Sequence, residues 1–257
     1  MTADFRATSP PRSPALPPHR PLPGYYARGQ NKSGFLKDIF DRTACDYERV
    51  ERVMALGTGR WYRRQALLRA GLNAGMNVLD VAAGTGMVAR EAVTIVGNSG
   101  RVIGLDPSGG MLAELLGHLS IPVLRGTGER LPFADASFDF LSMGYALRHL
   151  SDVSAALREF RRVLRPGGTV CLLEITAPQG KIGRAMLRGY LRGLVPCLTR
   201  LAARNADSHR LWQYYWETID ACIPPARVLD AMRDAGFDAA QRHAELGVFS
   251  EYTGRRK

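Results

Sequence analysis

Two carboxylates and a glycine turn are the residues of this chain best suited to chemistry. An apolar run, Val78-Leu79-Asp80-Val81-Ala82-Ala83, ends in Gly84-Thr85-Gly86, and a second acid, Asp106, follows twenty residues beyond Gly86. A strand that turns through glycines into a helix offers backbone amides and a positive helix terminus to a nucleotide-type ligand. Gly84-Thr85-Gly86-Met87-Val88-Ala89 satisfies the dinucleotide pattern G-x-G-x-x-G/A, with Asp106 where that pattern places its ribose-binding acid. A dehydrogenase is therefore one reading. For a diphosphate, however, the first glycine should come directly off the strand. Here Asp80 precedes Gly84 by four residues and sets a carboxylate where a diphosphate would approach. A cationic, aminoacyl-bearing ligand suits that place better.

Such a turn needs a sheet to hold it, and the rhythm of the chain supplies one. Phe35 to Leu56 and Trp61 to Leu72 carry apolar residues at helical spacing and predict two helices before the first strand. From Asn77 short apolar strands alternate with helices. Strands are predicted at 77–81, 101–105, 121–125, 138–143 and 169–175, with helices from about 85, from about 108 and over about 151–164. Arg165-Pro166-Gly167-Gly168 stops the last of these helices and turns the chain. Residues 179–220 read as helical, and a helix near 226–235 with strands near 238–244 and 247–253 closes the domain. Alternation of this kind argues for a parallel sheet covered on both faces.

S-adenosylmethionine carries an ammonium, a sulfonium and a ribose diol that a carboxylate can bond twice, and so fits Asp80 and Asp106. Further motifs agree. Thr127-Gly128-Glu129 and then Leu131-Pro132-Phe133 follow the third strand, and Leu164-Arg165-Pro166-Gly167-Gly168 precedes the fifth. Together with Asp80 to Gly86 and Asp106 these resemble the class I S-adenosylmethionine-dependent methyltransferases. The resemblance implies an α/β, Rossmann-like fold: a seven-stranded, mostly parallel sheet with helices on both faces and a helical lid insertion. It implies S-adenosyl-L-methionine as cofactor, held by Asp80, Ala82, Gly84, Thr85, Gly86, Asp106, Pro107, Thr127, Gly128, Glu129 and Gly144.

Within that class the chain is similar to the UbiE-like ubiquinone and menaquinone biosynthesis C-methyltransferases. The likeness rests on Val78 to Gly86, Leu131-Pro132-Phe133 with Ser137-Phe138-Asp139, Ala146-Leu147-Arg148-His149, and Leu164 to Gly168 with Leu173-Glu174. It continues in Asn205-Ala206-Asp207-Ser208-His209-Arg210, Tyr215-Trp216-Glu217-Thr218-Ile219 and Asp234-Ala235-Gly236-Phe237, so it spans about Phe35 to Gly254. It implies a small-molecule acceptor such as a membrane-resident isoprenoid quinol. Arg148 and His149 take the family's Arg-Asn position, where they are expected to steady a ring oxyanion and to accept its proton. Tyr47, Tyr145 and Tyr215 are candidate walls of the acceptor pocket, and Glu174, at a strand's carboxyl end, is expected to act on substrate or to tie down the lid.

Most of the departures from that pattern concern the acceptor half. Ala83 stands where the family usually has glycine, and His149 where it has asparagine. Glu48 and Glu51 replace a family Asp and Asn, and Gly59 and Tyr62 replace a His and a Trp. About four extra residues fall between Arg210 and Tyr215. Another small molecule of secondary metabolism is the alternative acceptor.

Size and charge bound what remains. At 257 residues and 46% hydrophobic the chain can bury one α/β core with some appendages. The expected organisation is a disordered, Pro-rich tail over 1–32 and a methyltransferase domain over 33–257, with N-terminal helices in 33–75 and a helical lid or acceptor region in 179–220. No apolar run reaches the roughly 18 to 20 residues that cross a bilayer. The N-terminus has no apolar signal segment, so a cytoplasmic location is expected. Cys45, Cys171, Cys197 and Cys222 are too scattered for zinc or a disulfide framework, and His19, His118, His149, His209 and His243 show no ligand spacing, so no metal is expected. The net charge of +11 raises nucleic-acid binding, but no stretch interleaves basic and aromatic residues as a base-stacking surface does. Lys181, Arg184, Arg188, Arg192, Arg200 and Arg204 lie among apolar residues over 181–204, a basic amphipathic stretch suited to peripheral contact with anionic lipid.

Overall fold

The computed structural model describes residues 14–26, 32–55, 57–195, 197 and 206–257. After α1 (Lys32–Met54) and α2 (Gly59–Arg69) the alternation runs β1 (Asn77–Val81), α3 (Met87–Val96), β2 (Arg101–Asp106), α4 (Gly109–His118), β3 (Val123–Arg125), β4 (Phe138–Gly144), α5 (Val153–Val163) and β5 (Leu164–Ile175). α6 (Lys181–Gly189) widens into one π-helical turn at Tyr190–Leu194, and α7 (Ala206–Ala221), α8 (Pro225–Asp234), β6 (Phe237–Glu245) and β7 (Phe249–Arg256) follow. The seven strands stand in the order β3-β2-β1-β4-β5-β7-β6. Only β7 runs antiparallel to its neighbours, β5 and β6. This is the expected α/β, Rossmann-like sheet.

Alternation along each strand divides the core. Val78, Phe140, Cys171 and Leu173 point to one face and pack against Ala66, Leu67, Ala89 and Ala92 of α2 and α3. Their neighbours Leu79, Leu141 and Leu172 point to the other, against Leu157 and Phe160 of α5 and Met232 of α8. A third cluster lies beyond the sheet: Ile39 and Val50 of α1, Leu191 and Val195, and Leu211, Trp212, Tyr215, Trp216 and Ile219 of α7. The lid therefore has a core of its own.

Two expectations change. Strand pairing on β5 begins at Leu164, opposite Phe138, and resumes at Thr169, opposite Phe140, so Arg165-Pro166-Gly167-Gly168 is a bulge within the strand. The solvated tail is corrected over residues 14–26. Leu16 N donates to Asp152 Oδ1 at 3.0 Å, Val153 N donates to Leu16 O at 2.9 Å, and Ile223 N donates to Pro18 O at 2.7 Å. Tyr26 Oη meets Tyr214 Oη at 2.7 Å. Composition misses this strap because it docks largely through its backbone. Lys32, the last residue of the expected tail, opens α1, and residues 1–13 and 27–31, like Arg200 and Arg204 of the basic stretch, lie outside the described residues.

Candidate donor and acceptor clefts

β1 and β4 are neighbours whose onward connections leave to opposite sides, and the crevice at their carboxyl ends is where open α/β sheets bind ligands. A cleft of about 1130 Å³, open to solvent, occupies this place. Of the residues expected to hold the cofactor, Ala82, Gly84, Thr85, Asp106, Pro107, Thr127, Gly128, Glu129 and Gly144 line it, as do Tyr47, Tyr145, His149 and Tyr215. Asp80, Gly86, Arg148 and Glu174 do not.

The turn after β1 is built by left-handed residues, Ala82 (φ 54°), Gly84 (φ 56°) and Gly86 (φ 88°). A Cβ on Gly86 would come within 2.9 Å of Leu115 Cγ, so glycine is required there by both conformation and space. Asp106 fixes the turn, its Oδ2 accepting from Gly84 N at 2.9 Å and its Oδ1 from Ser108 N at 2.8 Å. Burial raises its pKa to about 6 despite these amides. Thr85 is 1% exposed, and its Oγ1 has no partner among the described residues. An orphaned hydroxyl, a buried carboxylate and the glycine turn fit the aminoacyl and ribose ends of S-adenosylmethionine.

Asp80 acts from behind. It is fully buried, and its Oδ1 accepts from Ser142 Oγ at 2.6 Å across β1 and β4. Burial pushes its pKa up to about 7. Because the folded value lies above that of the unfolded chain, ionisation of Asp80 and Asp106 opposes folding. The stability present below about pH 4 is lost as pH rises through 6 to 7. For the ligand-free protein, Asp80→Asn is therefore expected to raise the melting temperature at pH 8 more than at pH 5, measured by thermal scans against the parent.

α1 roofs the cleft with Ser33, Leu36, Lys37 and Phe40. Asp41 of the same helix accepts at Oδ1 from Ser108 Oγ (2.6 Å) and Gly110 N (2.9 Å), pinning the roof to the start of α4. Asp41→Ala is expected to cost about 0.5–2 kcal/mol, as other lost helix caps do, and to weaken donor binding. Denaturant titration and calorimetry check the two effects separately.

A second, largely apolar cleft of about 1060 Å³ adjoins the first and shares Tyr47, Arg63, Met87, Tyr145 and Tyr215 with it. Its walls include Met54, Ile175, Leu187, Tyr190, Leu191 and Trp212. Around the seam between the clefts the aromatic groups are locked. Tyr47 Oη and Tyr215 Oη lie 2.6 Å apart, and Trp212 and Tyr215 ring centres are 4.6 Å apart. Tyr145 holds a left-handed backbone (φ 61°), a costly state for a bulky residue.

Arg148 lies beneath this seam. It is fully buried, ion-paired to the buried Glu174, donates from Nη1 to Tyr145 O at 2.8 Å, and sits 4.4 Å from the Tyr215 ring centre. With its charge spent on Glu174, it supports the walls of the clefts without lining them. His149 does line the donor cleft, stacked on Tyr214 at 5.7 Å with both ring nitrogens unpartnered among the described residues. Burial, reinforced by Arg148, lowers its pKa well below the ordinary value, so the ring is neutral.

A sequence model of the ubiE/COQ5 methyltransferase family matches residues 28–256. The chain belongs to this family. It is 34% identical over 231 residues to the ubiquinone/menaquinone biosynthesis C-methyltransferase UbiE of Hahella chejuensis (strain KCTC 2396), covering 87% of this chain and 92% of that protein. The enzyme of the same name from Coxiella burnetii (strain Dugway 5J108-111) is 32% identical over 219 residues, 82% of this chain and 86% of that one. Among solved structures, an S-adenosylmethionine-dependent methyltransferase of Thermotoga maritima superposes with a TM-score of 0.62 at 22% identity, covering 86% of this chain and all of that one. The [4+2]-cyclase SpnF also gives 0.62, at 17% identity, covering 87% and 96%. Those two likenesses speak to fold alone. As a member of the ubiE/COQ5 methyltransferase family, the protein is an S-adenosylmethionine-dependent methyltransferase.

Two features escape sequence reading. Arg63 stands on the seam because α2 packs beside β4, and nothing in its spacing sets it apart from Arg60 and Arg64. His243, Glu245 and Glu251, brought together by the register of the β6-β7 hairpin, have ligand atoms within 4.8 Å of one another. Arg69 pairs with both of these carboxylates, so the group is an ion-pair network holding α2 to the β6-β7 hairpin.

Proposed function

We propose that this methyltransferase C-methylates the ring of an isoprenoid quinol. The observation that carries this reading is the pair of clefts. A cleft lined by the glycine turn and Asp106 meets a second, largely apolar cleft of similar size at an aromatic seam, so a flat ring can lie at the junction with a hydrocarbon tail behind it. The names of the relatives point the same way. When bound, S-adenosylmethionine supplies a sulfonium methyl: the S–CH₃ bond breaks, its electron pair goes to sulfur, and the ring carbon forms the new C–CH₃ bond. In this reading Asp106 bonds the ribose diol, Gly84 and Thr85 face the aminoacyl end, and Thr127, Gly128 and Glu129 border the adenine. Tyr47, Tyr145 and Tyr215 clamp the acceptor ring. Holding the two reactants in line is the main source of acceleration, worth up to ~7 to 11 kcal/mol in ideal cases.

The mouth of the apolar cleft carries Trp61 (58% exposed) and Leu246 (85%), and the outer side of α6 carries Ile182 (80%) and Met186 (72%). We propose that this rim rests on a membrane surface from which the quinol is drawn. Among the described residues no helix is long and apolar enough to cross a membrane. The basic face of α6 is less charged than its sequence suggests, because Arg184 pairs with Asp220 of α7 at 2.7 Å. Sedimentation with anionic vesicles is expected to carry the protein down, less so after Ile182→Ser with Met186→Ser; no binding at low salt removes the membrane step.

Restored quinone methylation in a methyltransferase-deficient cell, scored by mass spectrometry, is the expected result for the acceptor. Failure despite good expression turns the assignment toward another small molecule, as the departures at Glu51, Gly59 and His149 allow.

A further inference from the structure

Two of the acceptor-half departures, Glu51 and Gly59, meet in space at Arg63. Glu51 of α1 accepts from Arg63 Nη2 at 2.5 Å, and Gly59 opens the helix that carries Arg63. A Cβ on Gly59 would lie 2.5 Å from Glu51 Oε1 and 2.8 Å from Arg63 Nη1. Any larger residue there would occupy the space of the pair. The carboxylate at 51 reaches the arginine through the room that glycine leaves at 59.

The position of the pair matters more than its existence. Of the five residues common to both clefts, Arg63 is the only cation, and none is an acid. Its side chain is 4% exposed, its Nε is buried without a partner among the described residues, and its guanidinium lies 5.5 Å from the Tyr145 ring centre. Glu51 lines the apolar cleft and is 21% exposed, so it touches both the cleft and solvent. Tyr47 and Tyr145 also face Arg63, and burial raises both phenols above their ordinary range, leaving them neutral. Tyr62, beside them on α2, is raised likewise. A desolvated guanidinium bordering a largely apolar chamber is suited to stabilising a developing oxyanion.

We propose that Arg63 and Glu51 form the anion site of the acceptor: Arg63 holds the ring hydroxyl next to the carbon that is methylated, and Glu51 takes its proton. The proposal rests on the reading of the acceptor as a phenolic ring. The O–H bond breaks, its electron pair stays on oxygen and is shared with the neighbouring ring carbon, and Arg63 offsets the charge. That carbon takes the methyl group. It then loses its hydrogen as a proton while the ring oxygen regains one, restoring the aromatic hydroxyl, and one proton in all reaches solvent. Glu51 is thus a catalytic residue, and Gly59 a positioning one.

The test uses the full chain with S-adenosylmethionine and a short-chain prenylated 1,4-naphthoquinol kept reduced, beside its 1,4-dimethyl ether. Glu51→Gln keeps the bond to Arg63 but cannot take a proton. Its kcat is expected to fall about 100-fold or more with KM little changed, the loss shrinking as pH rises toward the quinol's own ionisation, and Glu51→Asp to recover part of it. Arg63→Gln is expected to abolish the preference for quinol over ether, read by fluorescence titration without donor. Gly59→Ala, whose two closest contacts are the ends of flexible side chains with the Ala55 Cβ next at 3.3 Å, is expected to melt close to the parent yet lose at least 10-fold in kcat. Parental kcat and pH profile in Glu51→Gln, or an unchanged quinol preference in Arg63→Gln, overturns the assignment. If the parent methylates no quinol, the quinol reading falls; the anion site is then judged by the binding comparison, which needs no turnover.

Discussion

Arg148→Ala is expected to lower the free energy of unfolding by about 3–5 kcal/mol, the cost of leaving a buried carboxylate without its partner. Arg148 and Glu174 are 0% and 1% exposed, so neither charge can turn to water when the other is removed. The guanidinium also bonds the Tyr145 carbonyl and underlies Tyr215, so activity is expected to vanish with stability. Urea titration gives the first effect. The double variant Arg148→Met with Glu174→Leu separates the two, since replacing both members of a buried pair by apolar groups is often neutral for stability. It is expected to fold and to remain inactive because the Tyr145 carbonyl has lost its donor. A double variant with parental turnover would remove the positioning role from Arg148.

The second large effect lies on the donor side. Asp106→Ala is expected to weaken S-adenosylhomocysteine binding by at least about 100-fold, measured by calorimetry. Two effects act together. The ribose loses charge-assisted hydrogen bonds worth about 1.5–3 kcal/mol each, and the amides of Gly84 and Ser108 lose the acceptor that shapes the turn. Asp106→Asn is expected to fall between parent and alanine, because its amide group can replace one acceptor but not both. NAD, titrated as a control, is expected not to bind. Unchanged S-adenosylhomocysteine binding in Asp106→Ala would overturn the assigned contact.

The strands that hold the donor turn are legible because short, nearly continuous apolar runs close to glycines are local signals. β1 falls at 77–81 as predicted, and β2 extends its prediction by a single residue. β5 is longer than its apolar run because Arg165 to Gly168, a turn by local sequence, forms a bulge that depends on Phe138 across the sheet. Asp80 and Asp106 were both visible as acids near a glycine turn. Their different tasks, one behind β1 and β4 and one lining the cleft, depend on which way a strand's side chains face. Arg63 was invisible for a stronger reason. Its meaning comes from Glu51, Gly59 and Tyr145, brought together by packing between α1, α2 and the end of β4, and no single segment encodes that meeting.

The strap at residues 14–26 separates kinship from folding. Likeness to the family begins at residue 28, yet Leu16 and Pro18 already lend their carbonyls to Val153 and Ile223. Asp152 shares its Oδ1 between Leu16 and the first amides of α5. A chain trimmed to the shared region would begin with these groups stripped of their partners and with the Tyr214 hydroxyl bare of Tyr26. Two proteins equally related across the family region can thus differ in how firmly α5 is anchored, by virtue of a leader that comparison of their domains leaves out.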